Sequence, residues 1–287
     1  MRSRKTQQNP LRQSQLRWCG LTRVLVSADR LYAEHWSAGV QVKRVIAQAE
    51  LASHEPLGFK AAMTALITQL PATSWQRLEI YLADQHVHLM LLPAIQQAGQ
   101  SLSAAEQHAY ARAMLLKTYG EAAVQWPFRM QDGLQSQASL LATIPVLQNM
   151  TAQNLVAPRK YLQVSIQPYA CALWAHTRLP AEGTVISAEP HMLRLLQLQQ
   201  GKVVHVASLV SDLADVDSMS AWLLRERMLL GVQASPCYWL SEPACEPVAV
   251  AGRRLAQHLA GAGEVPWKTL YSASSVTSLW QEVMHVA

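Results

Sequence analysis

The sequence has no apolar run near the ~20 residues that a membrane-spanning helix needs. Its best candidate, residues 139–146, is short, and Asn149, Gln153 and Asn154 soon follow. The first residues are basic but lack the apolar stretch of a signal peptide. Cysteine is scarce: Cys19, Cys171, Cys237 and Cys245, with no C-x-x-C spacing. That argues against a zinc ribbon or a thioredoxin-type redox pair. Cys237 and Cys245 are close enough to pair across a loop; the simpler reading is reduced thiols in a cytosolic protein. Phe59 and Phe128 are the only phenylalanines, against nine tryptophans. Gly-x-Ser-x-Gly, the P-loop, Gly-x-Gly-x-x-Gly and His-Glu-x-x-His are all missing. The corresponding hydrolase, nucleotide and zinc-protease chemistries therefore have no signature here.

Acid is absent from the first 23 residues, which hold Arg2, Arg4, Lys5, Arg12, Arg17 and Arg23. The whole chain carries +5, so the remainder is close to neutral and the basic pI describes a tail. Residues 1–20, with Gln7, Gln8, Asn9 and Pro10, read as disordered. Such a tail either meets an anionic surface, at ~1 kcal/mol per basic residue, or is simply solvated. No nucleic-acid partner is expected for the body of the protein. Half of the residues are hydrophobic and 15% are charged, so the body is globular, and 287 residues suffice for two cores.

The chain carries one plan twice. Val26-Ser27-Ala28-Asp29 returns 160 positions later as Ile186-Ser187-Ala188-Glu189. Tyr81-Leu82-Ala83-Asp84 returns 158 positions later as Trp239-Leu240-Ser241-Glu242. In the first half, strands are expected at 24–27, 31–36 and 40–47, a helix at 59–70 and a strand at 78–83. In the second, strands are expected at 184–188, 191–198 and 202–209, a helix at 219–230 capped by Asp217, and strands at 237–240 and 268–271. Helices at 248–260 and 276–286 complete it. Segments 139–144 and 161–166 each read as a strand leading into a Pro-initiated helix, the second running from Pro168 to about 178. A duplicated β-β-β-α-β unit predicts an α/β, two-lobed actin-like (ASKHA, RNase H-like) fold. The lobes are expected at 21–180 and 181–287.

Residues 85–132 have no counterpart in the second half and read as an inserted subdomain of the first. It holds an apolar strand at 87–92, a helix opened by the capping box Ser103-Ala104-Ala105-Glu106 and closed by Gly120, and a strand at 124–130. His86 and His88 alternate along the first of these strands and are expected to face solvent, since two histidines without a third ligand are a weak metal signal. Asp212, Asp215 and Asp217 begin like a calcium loop but lack its glycine and closing Glu. Leu223, Leu224, Met228 and Leu229 read as core.

An actin-like nucleotide site needs glycine in the turn after the first strand of each half, so that backbone N–H groups approach phosphate. It also needs an Asp for the metal. Here those turns read Ser27-Ala28-Asp29 and Ser187-Ala188-Glu189, and a third loop reads Ser241-Glu242-Pro243 where Gly-Gly is expected. A carboxylate facing a triphosphate repels it by several kcal/mol in a partly desolvated site. No nucleotide cofactor, no metal and no catalysis are therefore expected, with a rearranged ATP site through Asp29 or Glu189 as the alternative.

The segment Leu82-Ala83-Asp84-Gln85-His86-Val87-His88-Leu89-Met90-Leu91-Leu92-Pro93 resembles a strand-hairpin segment of the actin-like assembly proteins of type IV pilus and type II secretion machines, the M protein and the cytoplasmic part of the L protein. Ala94 replaces the family's Trp. Tyr119-Gly120 through Trp126, Ser165-Ile166-Gln167-Pro168 and the Gly201 turn add to the likeness. The resemblance implies a cytoplasmic scaffold, peripheral at the inner membrane through its partners. Those partners would be the N-terminal domain of the assembly ATPase and the cytoplasmic segment of an N-like or L-like membrane protein. The inserted subdomain would supply the partner groove, with Arg112, Tyr119 and Trp126 as candidate contacts; core packing is the alternative role for Trp126. The chain departs from the M pattern at all three loops and from the L pattern in ending at Ala287 without a membrane helix. It thus resembles a stand-alone, L-like adaptor. The alternative is an ATP-binding, M-like protein with atypical loops.

Overall fold

A computed structural model describes residues 19–38, 44–72, 76–94, 102–130, 138–148, 150, 155, 161–189, 191–241, 246–261 and 266–271. Residues 1–18 of the basic tail, the expected helix at 276–286, Glu242 and Cys245 lie outside these. By packing, the chain forms two compact units, Met1–Leu82 with Met150–Gln167, and Ala83–Asn149 with Pro168–Ala287. Division by packing thus differs from division by the internal repeat.

The first unit is built on β1 (Gly20–Val26), β2 (Arg30–Trp36), β3 (Arg44–Glu50), α1 (Pro56–Gln69), β4 (Gln76–Leu82) and β8 (Gln163–Pro168). The sheet order is β3-β2-β1-β4-β8. A tight turn at 27–29 makes β1 and β2 antiparallel, and passage through α1 makes β1 and β4 parallel. Helix α1 starts with Pro56 at its first turn, where no donor is lost, and packs on β2 and β3 through Phe59, Ala62, Met63, Leu66 and Ile67.

In the second unit, β9 (Gly183–Glu189), β10 (Met192–Gln199), β11 (Lys202–Val210), α4 (Val216–Leu229), β12 (Cys237–Ser241), α5 (Glu246–Gly261) and β13 (Trp267–Tyr271) repeat the plan in the order β11-β10-β9-β12-β13. Gln200 (φ 51°) and Gly201 (φ 74°) close the β10–β11 hairpin. Two positive φ angles in a two-residue loop match the right-handed twist of the strands. Both α4 and α5 cover one face of this sheet, through Met219, Trp222, Leu223, Val248, Ala251, Leu255 and Leu259. Gly252 lets α5 lie directly on the Trp239 indole.

The same unit holds the insertion. Its β5 (His88–Leu92), α2 (Ala104–Tyr119) and β6 (Phe128–Met130) fall within the expected 85–132, but β7 (Ser139–Thr143), expected as a strand of the resumed first half, joins them in a sheet of order β5-β7-β6. A short helix, α3 (Tyr169–Ala175), also belongs here. The capping box of α2 forms as expected: Ser103 Oγ accepts from the Glu106 N–H, and Glu106 accepts from the Ser103 N–H at 2.8 Å.

Several expectations are corrected. The strand expected at 124–130 is a 3-10 turn, Glu121–Gln125, followed by the short β6, because Pro127 interrupts it without a backbone donor. The cap of α4 is Asp215, which accepts from the Ser218 N–H at 3.0 Å; Asp217 sits in the first turn. Leu223 is core, but Leu224, Met228 and Leu229 are 41%, 63% and 71% exposed. Inward positions near the end of α4 go to Glu226 and Arg227. The two Arg227 Nη groups donate to Thr184 Oγ1 (3.1 Å), Cys237 Sγ (2.8 Å), Ser235 O (2.7 Å) and Gln233 O. A guanidinium so bonded can be buried where an unbonded one cannot.

Candidate functional site

The two expected nucleotide turns differ in the structure. In the first unit, Ser27 closes the β1–β2 turn on itself: its N–H and its Oγ both donate to Arg30 O, at 2.8 and 3.0 Å. Asp29 is exposed beside Arg30, with 3.5 Å between Oδ2 and Nε. In the second unit, Ser187, Ala188 and Glu189 are not in a turn at all. They are the last three residues of β9, paired with Arg194, Leu193 and Met192. Three ladder positions beyond Ile186, the counterpart of Val26 at the end of β1, move the turn past Glu189, whose side chain is buried.

Glu189 Oε2 accepts from the backbone N–H of Asp84 at 2.8 Å. Asp84 opens a 3-10 turn, Asp84–His86, and its Oδ2 receives Arg194 Nε at 2.9 Å. Both side chains of this ion pair are almost fully buried, at 2% and 3% exposure. Arg194 also donates to Ser208 Oγ at 2.8 Å and, more weakly, to the carbonyls of Asp84 and Val87. The fork of the guanidinium is what allows one side chain to serve a carboxylate, a hydroxyl and two carbonyls together. Cys171 lies nearby; burial first, and then the Asp84 charge, push its thiol up to about 12. It is protonated at neutral pH and is no nucleophile.

Next to Arg194 stands an aromatic cluster of the insertion. The His88 ring stacks on Tyr119 (4.8 Å between centroids) and on Trp126 (5.2 Å), and Tyr119 and Trp126 are 5.5 Å apart. His88 is therefore not solvent-facing as expected, and His86 is buried in the 3-10 turn rather than on the same strand face. Burial, and then the positive charge of Arg194, lower the His88 pKa. Burial raises the Tyr119 hydroxyl in turn, partly offset by Arg194. Arg112 donates to Trp126 O at 2.7 Å and to Val124 O, and its guanidinium lies 4.6 Å over the Phe128 ring.

The structure thus brings Arg112, Tyr119 and Trp126 together. They rest on a small core of Leu92, Ala111, Leu115, Ala123 and Leu141, and all three remain partly accessible. What sequence reasoning missed is Arg194. An arginine at the centre of a buried apolar strand was the available signal. Ser241 lies at the end of β12. Among the described residues no group of three or more His, Cys, Asp and Glu side chains could hold a metal. No described helix is long and apolar enough to cross a membrane.

No family model matches the sequence, and no curated protein does. Solved structures match throughout the chain. A Bacteroides thetaiotaomicron protein with an actin-like ATPase fold and unknown function superposes with a TM-score of 0.55 at 10% identity, covering 89% of this chain and 92% of that one. The PilM-PilN type IV pilus biogenesis complex gives 0.54 at 14% identity, covering 87% of each chain. The cytoplasmic domain of EpsL, an inner membrane component of the type II secretion system of Vibrio cholerae, gives 0.47 at 13% identity, covering 93% and 95%. At these identities the first two likenesses establish the fold alone. The chain has the duplicated actin-like α/β fold that its repeat predicts.

Proposed function

We propose that this protein is a non-catalytic scaffold of a type IV pilus or type II secretion-like machine. It acts at the cytoplasmic face of the inner membrane and links the assembly ATPase to membrane platform proteins. The carrying observation is the fate of Glu189. The position where an actin-like ATPase presents glycine to phosphate is here the buried end of a strand, with its carboxylate held by the Asp84 backbone. Sequence reasoning and the fold shared with a pilus biogenesis protein support the choice of machine. The partner surface is the aromatic cluster of the insertion, where Tyr119 and Trp126 offer large, half-buried rings and Arg112 bonds the Trp126 backbone carbonyl. A short cytoplasmic segment of a membrane protein, with apolar anchors, is the occupant that such a surface suits.

Two measurements test the reading. Thermal unfolding is recorded with and without millimolar ATP and magnesium. A ligand of the native state at a hundred times its dissociation constant adds ~2.7 kcal/mol, a shift of several degrees. The expected result is no shift; a clear shift would overturn the reading in favour of an ATP-binding, M-like protein. Separately, Trp126→Ala is expected to weaken binding of an N-like cytoplasmic peptide at least ~10-fold while the protein keeps its thermal transition. Loss of the transition would show that Trp126 is core and nothing else.

A further inference from the structure

Strand β3 is the terminal strand of the first sheet, paired on one side with β2. Its backbone polarity follows from one bond. The N–H of Leu51, just past the strand, donates back to Asp29 O at the head of β2. In an antiparallel pair the N–H and C=O of one residue point the same way, and the direction alternates. Val45, Ala47 and Ala49 therefore direct their backbone groups into the sheet, and Arg44, Ile46, Gln48 and Glu50 direct theirs outward. The Gln48 carbonyl confirms the assignment, since it accepts from the Gln69 side chain at 3.0 Å rather than from β2. No described strand pairs with this outer edge.

The edge reads Arg-Val-Ile-Ala-Gln-Ala-Glu, and it is complementary to itself. Laid antiparallel on a copy of itself about Ala47, it sets Arg44 opposite Glu50, Val45 opposite Ala49 and Ile46 opposite Gln48. The residues with outward backbone groups then face one another, as a continued ladder requires. A shift of one residue either way loses both Arg–Glu pairs. On one face of the strand Arg44, Ile46, Gln48 and Glu50 are exposed, and on the other Ala47 is buried. Ile46, 43% exposed, would lie diagonal to its own copy on the same face. Arg44 already bonds Glu34 of β2, and a guanidinium carries five donors, so one such pair does not exclude a second carboxylate. The Gln48 carbonyl, with a second lone pair, can accept again.

We propose that β3 is a homodimerisation edge, through which two copies of this chain join their first sheets by antiparallel β3–β3 pairing. The contact is isologous, so it closes at two copies instead of growing into a fibre. Opposite charges at both ends set the register and exclude the parallel alternative, which would put Arg44 beside Arg44.

Backbone hydrogen exchange of the full chain, followed residue by residue from low micromolar to submillimolar protein, tests it alongside sedimentation equilibrium. The Ile46 and Gln48 amides are expected to slow at least ~10-fold as the dimer forms, while Ala47 and Ala49 are protected at every concentration. Glu50→Lys sets like charges opposite each other twice per dimer and is expected to weaken association ~10-fold, with unchanged circular dichroism and melting. Ile46→Pro, which removes an outward donor together with the exposed Ile46 side chain, is expected to weaken it as well. A chain monomeric throughout the range overturns the proposal. So does a dimer in which the outward amides exchange freely, or one indifferent to Glu50→Lys. Outward amides protected at all dilutions in a monomer would show that the edge is covered from within the chain, and would overturn it too.

Discussion

Arg194→Met is expected to be among the most damaging single substitutions in the second unit. It removes the cation and leaves the Asp84 carboxylate in a site that is 2% exposed. Breaking a buried pair from one side costs ~3–5 kcal/mol, because the remaining charge is neither paired nor hydrated. The bonds to Ser208 Oγ and to the turn carbonyls go as well, which places the loss toward the upper end. At about 2–4 °C per kcal/mol for a unit of roughly two hundred residues, the melting point should fall by about 6–20 °C. Asp84→Asn keeps the backbone N–H that Glu189 accepts and removes only the anion. The double variant removes both charges and should recover to within ~1–2 kcal/mol of the parent, since an uncharged, well-packed replacement of a buried ion pair is often neutral. Urea unfolding of the four proteins by tryptophan fluorescence and circular dichroism closes the double-mutant cycle. A loss below ~1 kcal/mol in Arg194→Met, or strict additivity in the double variant, would refute the coupling.

Three further outcomes are expected. Gly252→Ala should destabilise by ~1–3 kcal/mol although alanine is the better helix former, because its Cβ would stand 2.5 Å from Trp239 Nε1; Trp239→Phe should relieve most of the loss in urea unfolding. His88, with its pKa held below the ordinary histidine value of about 6.5, should make stability fall as pH drops below that value, since the unfolded chain binds a proton that the folded ring resists; the loss should level off below the folded pKa. His88→Phe, compared with the parent by thermal melts across that window, should flatten this component. Ser103→Ala removes the cap of α2 and should cost ~1 kcal/mol, read as faster amide exchange in the first turn of that helix with the second sheet unchanged.

Much of the architecture was legible in the sequence. Alternation of apolar residues places strands wherever one face is buried, and Pro56, Gly120, Gly201 and Gly231 mark starts and stops through their own backbone preferences. The capping box at Ser103 is a local interaction, complete within four residues, so it could be read without knowing the fold. Legibility failed where a residue's role depends on something distant in the chain. Asp84 is the acid at the end of an expected strand in one half, and Arg194 a charge within an apolar strand of the other. Their pairing spans 110 positions and has no local signature. Leu224, Met228 and Leu229 looked like core because apolar residues on a helix usually are. The inward positions of α4 instead went to Glu226 and Arg227, whose hydrogen-bond partners come from β11, β9 and the 233–237 segment.

By itself, then, the sequence determined the duplicated α/β plan, the inserted piece and the absence of phosphate-binding glycines, because each rests on periodicity, on backbone conformation or on a residue type at a turn. Only the tertiary structure decided where the acids went. It extended β9 by three ladder positions relative to β1, turned Glu189 from a loop residue into a buried acceptor, and gathered His88, Tyr119 and Trp126 beside a buried arginine. Hydrogen bonds and desolvation act between groups that are close in space, and distance in space is what a linear order of residues leaves open.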